Sequence, residues 1–252
     1  MNTCKNCGHP FDLDYCNRCG QKASVKRIEM KWLLHELPHA IWHVEKGFFY
    51  NVKQLFIRPG HAIRDFLEGK RKYFFNPLSY LAIMILFNYL VMRVVNFHTY
   101  DEKELLNLSA ERIKEIKDYD IVNWWIMSHA YLFMLIAVPL TGIFLYLLLR
   151  IFKIKYNLAE NVIIALFIIA QGTLIQSIVY LLTGWIHIGI VIRTAEFVNT
   201  NILWAGFNAF VIYQLINPYR NKTAVAILAI IAGEFIIKLL WWSAEWMAYL
   251  VY

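Results

Sequence analysis

Apolar and polar positions are unevenly distributed along this chain. Residues 1–77 mix short apolar clusters with charges, whereas most of the remainder forms long apolar runs separated by short polar segments. Five runs are long enough to cross a bilayer, which takes about 20 apolar residues in a helix: 78–95, 124–149, 159–182, roughly 197–216, and 224–242. The fourth is the least sharply bounded, because a short apolar run at 186–192 precedes it. Ahead of the first span the pattern becomes amphipathic. Trp32, Leu33, Leu34, Leu37, Ile41 and Trp42 are interleaved with Lys31, Glu36, Glu45 and Lys46. Such a segment suits the membrane surface or the side of a helical bundle. Arg58-Pro59-Gly60 predicts a turn, and 61–68 predicts a short amphipathic helix stopped by Gly69.

These elements divide the chain into a head at 1–24, amphipathic interfacial helices at 25–77 and a transmembrane bundle at 78–252. The fold class is an all-α membrane protein of about five spans. Composition agrees: 59% hydrophobic and 16% aromatic content is too apolar for an ordinary soluble domain. No charged start, apolar middle and small-residue cleavage site mark a signal peptide, so the head is expected to stay on the side where it is made.

Charge supplies an independent test of the topology. With the head inside, the cytoplasmic segments are 1–77 with 13 Lys and Arg, 150–158 with Arg150, Lys153 and Lys155, and 218–223 with Arg220 and Lys222. The outside segments are 96–123 with 4 Lys and Arg against 7 Asp and Glu, 183–196 with Arg193, and 243–252 with none. Every junction obeys the positive-inside rule, which places the N-terminus in the cytoplasm and the C-terminus outside. The net charge of +7 then belongs to a cationic inner face beside anionic lipids, and nucleic acid is not indicated. The outside segment 96–123 is expected to be a solvated cap of one or two short surface helices.

The head carries the clearest chemistry. Cys4, Cys7, Cys16 and Cys19 form C-x2-C-x8-C-x2-C, and each pair is followed by a glycine, Gly8 and Gly20. Two intervening residues let one tight turn aim both sulfurs at a single ion, and glycine tolerates the positive φ of such a turn. The eight residues between the pairs suit a hairpin that sets the turns face to face. Four thiolates select Zn²⁺, with iron the main competitor. A disulfide-bonded head is the alternative, which a reducing cytoplasm disfavours. The expectation is a zinc ribbon with one structural zinc per chain, a closed site and not a catalytic one.

His35-Glu36-Leu37-Pro38-His39 matches H-E-x-x-H, the zinc-protease pattern, and His43 follows at the same spacing. Pro38 interrupts the helix that the pattern requires, because it removes a backbone bond and clashes with the preceding turn. The favoured reading is a surface helix. A second metal or pH-sensing site at His35, His39 and His43 is the minority one.

The cations Arg58, Arg64, Lys70, Arg71 and Lys72, followed by Tyr73, Phe74 and Phe75, fit a lipid-headgroup anchor just before the first span. Gly60 and Gly69 lie too far apart for a phosphate-binding loop. Intramembrane polar residues are functional candidates by default. Here they are Asn88, Arg93, His129, Gln171, Gln176, Asn208, Gln214, Glu234 and Lys238. Glu234 and Lys238, four apart, can neutralise each other on one helix face. Interhelical hydrogen bonding explains the amides, and a path through Glu234, Lys238 and Gln171 is the functional alternative.

The segments CKNCGHPF, YCNRCGQK, LLHELPHAIWHVEKGFF and RPGHAIRDFLEGKRKYFFNPLSYL resemble an uncharacterised family of bacterial zinc-ribbon-headed membrane proteins, over about residues 4–90. The resemblance implies a bacterial inner-membrane location and a metal on Cys4, Cys7, Cys16 and Cys19. It implies no known activity. It also makes the H-E-x-x-H match incidental, since the family accepts Asp as readily as Glu there. The leading expectation is a non-enzymatic membrane adaptor or sensor whose head recruits a cytoplasmic protein partner. A transporter, channel or lipid-handling protein is the rival, and a metal-dependent hydrolase at His35, Glu36 and His39 the third reading.

Overall fold

A computed structural model describes residues 2–36, 47–95, 105–106, 108–151, 153–184, 198–216, 222–228, 230–231, 233–234 and 238. The head opens with two short antiparallel strands, β1 (Asn2–Thr3) and β2 (Pro10–Phe11), with Asn2 opposite Phe11. Apart from an isolated bridge between Tyr15 and Lys22, the remaining named structure among the described residues is helical. It comprises α1 (Met30–Glu36), α2 (Phe48–Ile57), α3 (Pro59–Leu67), α4 (Pro77–Val95), α5 (Ala110–Ser128), α6 (Ala130–Ile151) and α7 (Leu158–Thr183). A π-helical turn (Val198–Leu203) then leads into α8 (Trp204–Leu215).

The organising element is α7. Its start is fixed by a capping box: Asn157 Oδ1 accepts from the Glu160 amide at 2.8 Å, and Glu160 Oε2 accepts from the Asn157 amide at 2.8 Å. From there the helix is apolar on all sides and is buried along most of its length, as expected of a helix at the centre of a bundle. Helix α4 packs along it. The Tyr80 hydroxyl donates to Gln171 Oε1, Asn88 Nδ2 donates to Ser177 Oγ at 3.0 Å, and Val95 meets Gly184. Residue numbers rise together along this seam, so α4 and α7 run parallel. Helix α6 reaches α7 through a short connection and packs Gly142 against Val162, which makes that pair antiparallel.

Helix α8 runs opposite to α7. It begins with the Trp204 indole lying on Gly172, midway along α7, and ends on α3. There the Arg64 guanidinium donates to the carbonyls of Gln214 and Leu215, and the Gly60 amide donates to Gln214 Oε1 at 3.1 Å. Gly60 lies so close to the Val211 carbonyl that a Cβ would collide with it. Helix α3 also sends Phe66 against Phe167 of α7, ring centroids 5.3 Å apart. The head, α1 to α3, residues 153–160 and the C-terminal end of α8 therefore gather at one end of the bundle. Val95 and Gly184 mark the other.

Helices α4 and α7 are long and apolar enough to cross a membrane, and the apolar part of α6, Ile136–Ile151, is shorter. Their bounds lie within one residue of the runs expected at 78–95 and 159–182. Two local expectations differ. Pro59 and Gly60 are not a turn but the first two residues of α3, because proline's fixed φ suits the first helical turn and its missing N–H costs nothing there. The expected surface cap also differs: residues 110–128 form one helix that continues, past a break at His129, into α6. Alanine, glutamate, arginine and lysine favour helix regardless of whether the segment is polar. The fifth apolar run is described only in part, and 235–237 and 239–242 are among its residues outside the described ones.

Candidate metal centre

Both cysteine pairs form the same backbone turn. The Gly8 amide donates to the Cys4 carbonyl at 2.8 Å, and the Cys4 amide donates to His9 at 3.0 Å. In the second turn the Gly20 amide donates to the Cys16 carbonyl at 2.7 Å, and the Cys16 amide donates to Gln21 at 2.8 Å. Gly8 and Gly20 both have φ +72°, the left-handed region that glycine enters without a Cβ clash. The repeated turn aims all four sulfurs inward.

The four Sγ atoms lie within 4.8 Å of one another. Cys4 and Cys19 are 3.6 Å apart, and Cys7 and Cys16 are 3.7 Å apart. A disulfide would need ~2.05 Å, so these are free thiols. A tetrahedron with metal–sulfur bonds of ~2.3 Å has edges of about 3.8 Å. The cluster therefore fits a four-coordinate ion, with Phe11 packed against the buried Cys4 and Cys16. Thiols this close do not titrate independently. Burial pushes Cys16 up, but the Cys19 and Arg18 amides and the Cys7 and Cys4 thiols outweigh it and hold Cys16 at about 7. The His9 amide pulls Cys7 down, yet burial and the other three thiols carry it up to about 12.

The head is fastened to the rest of the chain. Gln21, buried directly after the second turn, donates through Nε2 to the Gly69 carbonyl at 3.0 Å. Its Oε1 accepts from the amides of Arg71 at 3.1 Å and Lys72 at 3.2 Å. Lys5 Nζ donates to the Val25 carbonyl at 2.9 Å. Further on, Arg27 forms a bidentate pair with the buried Glu160, both contacts at 2.7 Å. That pair raises the Arg27 guanidinium's pKa further above its ordinary value. Asn157 Nδ2 donates to the Ile28 carbonyl at 2.8 Å. One short linker thus ties the four-cysteine head to the start of α7, while Gln21 ties it to the approach to α4.

The cations expected to face headgroups are largely engaged within the protein. Arg58 pairs with Asp65 at 3.1 Å and donates to Gln54 at 2.6 Å. Lys70 pairs with Asp65 at 2.6 Å. Arg64 caps α8, and Arg71 lies over the rings of Phe66 and Trp32, at 5.2 and 5.8 Å, and donates to the Phe66 carbonyl at 3.1 Å. Burial lowers the pKa of Arg71, and the field of Glu160 partly offsets this. Lys72 is exposed, beside Gly20.

Of the histidine stripe, His35 is exposed on α1, while His39 and His43 lie outside the described residues. Glu36 accepts from Asn76 Nδ2 at 2.6 Å, at the threshold of α4. Gln171, Asn88 and Ser177 join α4 to α7, and Gln214 joins α8 to α3. Glu234 is half-buried and Lys238 exposed.

Several residues at these junctions are not singled out by the sequence reading. Asn51, fully buried in α2, grips the Phe75 backbone from both sides, at 3.0 Å to the amide and 3.3 Å to the carbonyl. Gln21, Arg27 and Glu160 are likewise new. Only Glu160 had a readable signal, as the acid of an N-x-x-E capping box.

Compared with known proteins, residues 45–88 match a family described as Protein of unknown function (DUF3667). The matched stretch holds α2, α3, the turn at 69–72 and the first half of α4, the segment on which the head sits. No curated protein and no solved structure matches the chain.

Proposed function

We propose that this protein is a five-span, bacterial inner-membrane adaptor or sensor, with a cytoplasmic zinc ribbon seated on the inner ends of its helices. The observation that carries the reading is the double fastening of the four-cysteine head, through Gln21 to the approach to α4 and through Arg27 to the start of α7. A structural metal held there bears directly on two helices of the bundle. Four sulfurs in a closed tetrahedral arrangement favour zinc and leave no position for substrate.

Membrane residence is supported by the outer faces of the helices. Leu86, Leu90 and Val94 form an exposed apolar stripe on α4. Ile136, Leu140, Ile143, Leu147 and Ile151 continue the same pattern on α6. Helices of a soluble bundle turn such faces inward, and contiguous exposed apolar stripes mark contact with lipid or a partner. The directions of α4, α6, α7 and α8 alternate as successive spans must. The basic segment after α6 and the C-terminal end of α8 lie at the head's end of the bundle, as an inward-facing head requires. The polar residues of the α4–α7 seam bond to one another, which favours helix association over a transport path.

Photo-crosslinking from the head in native membranes tests the recruiting role. The expected outcome is a discrete crosslinked protein that disappears in Cys16→Ser and persists in Glu234→Ala and Lys238→Ala. Loss of function only in the two membrane variants, with the crosslink intact, would favour a transport role instead.

A further inference from the structure

Lys70, Arg71 and Lys72 stand between α3 and α4; Lys70 and Arg71 are engaged within the chain, and Lys72 is exposed beside Gly20. The Lys70 ammonium is paired with Asp65. The Arg71 guanidinium lies over Phe66 and Trp32. The backbone of this turn is held by one side chain, because the Gln21 amide group bonds the Gly69 carbonyl and the amides of Arg71 and Lys72 together. Gln21 is in turn held by the second cysteine turn: its carbonyl accepts from the Cys16 amide at 2.8 Å. Gly20, one residue earlier, sits against the Lys72 side chain, and Gly69 sits against Lys5. An unbroken chain of contacts therefore runs from a metal ligand, Cys16, through Gln21 to the backbone of the turn that carries the three cations.

We infer that the metal centre is a clasp on this basic turn, and that losing the ion opens the turn and lets Lys70 and Arg71 join the exposed Lys72 at anionic lipid headgroups. The inference rests on the metal-head reading given above. So small a module takes its folding free energy from the ion, so without it the cysteine turn that positions Gln21 does not persist. The Gly69 carbonyl and the Arg71 and Lys72 amides then lose Gln21 together, and among these groups only the contact of the Arg71 amide with the Gly69 carbonyl is left to hold the turn. The released cations sit at headgroup level, where each Lys or Arg gains about 1 kcal/mol from an anionic surface. Closed, the turn offers chiefly the exposed Lys72; open, it offers all three cations to a headgroup.

Limited trypsin digestion of the full chain in nanodiscs reads the state of the turn directly, since trypsin cuts after these three residues and cleavage tracks the open population. Metal content is measured in the same samples. In neutral-lipid nanodiscs, chelation is expected to raise cleavage at 70–72 by about fivefold or more, while cleavage after Lys53 in α2 stays unchanged. Gln21→Ala keeps all four cysteines. It is expected to retain its metal and still be cut at 70–72 as fast as the chelated wild type. Replacing about a third of the lipid with an anionic phospholipid is expected to slow cleavage of the open forms by about threefold and leave the metal-bound wild type unaffected. Unchanged cleavage after the metal has gone, or in Gln21→Ala, overturns the clasp. Equal acceleration at Lys53 also overturns it, because the whole chain has then loosened. Open forms indifferent to anionic lipid overturn the headgroup assignment. A wild type that contains no metal overturns the metal reading itself, and with it the clasp.

Discussion

At the scale of single residues, the contacts that matter most join segments distant in sequence. Arg27 and Glu160 are the clearest case. Glu160 is 5% exposed and does two jobs, closing the cap of α7 and receiving the linker's guanidinium. Arg27→Met leaves a buried carboxylate with one fewer partner. Because the Arg27 side chain is 59% exposed, solvent replaces part of the lost interaction, and the expected cost is about 1–2 kcal/mol. Glu160→Gln keeps the capping geometry but removes the charge. The double variant should lose less than the sum of the two singles, as judged by equilibrium unfolding in detergent. Strict additivity would mean that the pair contributes nothing as a pair. The cysteines were legible because metal chemistry fixes their spacing. Gln21 was not: a glutamine after a cysteine turn is unremarkable until the fold brings residues 69–72 beside it.

At the scale of elements, legibility followed the strength of the apolar signal. Helices α4 and α7 sit where long apolar runs meet clear stop signals, Asn76-Pro77 before one and the Asn157 cap before the other. The expectation faltered where polarity and helicity part company. Residues 110–123 are charged, and the short surface helices expected there are one long helix that runs on into α6. Of the turn expected at Arg58-Pro59-Gly60 only Arg58 is a break, because the proline opens the next helix. The end of α6 shows a device that the sequence conceals. Ile154 donates to Leu149 and Lys153 to Arg150, both at 2.9 Å, with Lys153 at φ +60°. This is the helix ending normally given to glycine. Lys153→Gly should therefore stabilise the protein by about 0.5–1 kcal/mol, and a β-branched residue there should cost at least as much. A loss of stability on Lys153→Gly, measured in the same unfolding assay, would show that this lysine contributes more through its charge than it costs in backbone strain.

At the scale of the whole molecule, the sequence supplies the parts and the structure supplies their attachment. Alternating apolar and basic segments anticipate that the head, residues 150–158 and the end of the fourth run share one side, and α3, α7 and α8 meet there. What the pattern could not supply is that the head is not a free lobe on a tether. Long-range polar contacts through Gln21, Arg27 and Asn157 carry no periodicity, so no window along the chain reveals them. Nor do exposed apolar stripes announce themselves until the neighbours of each helix are known. The segment matching the family of unknown function is the platform beneath the head, which directs attention to the joint between the four-cysteine head and the apolar helices.

The account depends most directly on that centre holding one ion. The deciding measurement is the metal content per chain of detergent-solubilised protein purified without added metal, for the wild type and for Cys16→Ser. One zinc per wild-type chain, lost in Cys16→Ser, is the predicted result. No metal, or a zinc content that Cys16→Ser leaves unchanged, would contradict the account, and a second zinc lost on His39→Ala would move the chemistry to the histidine stripe.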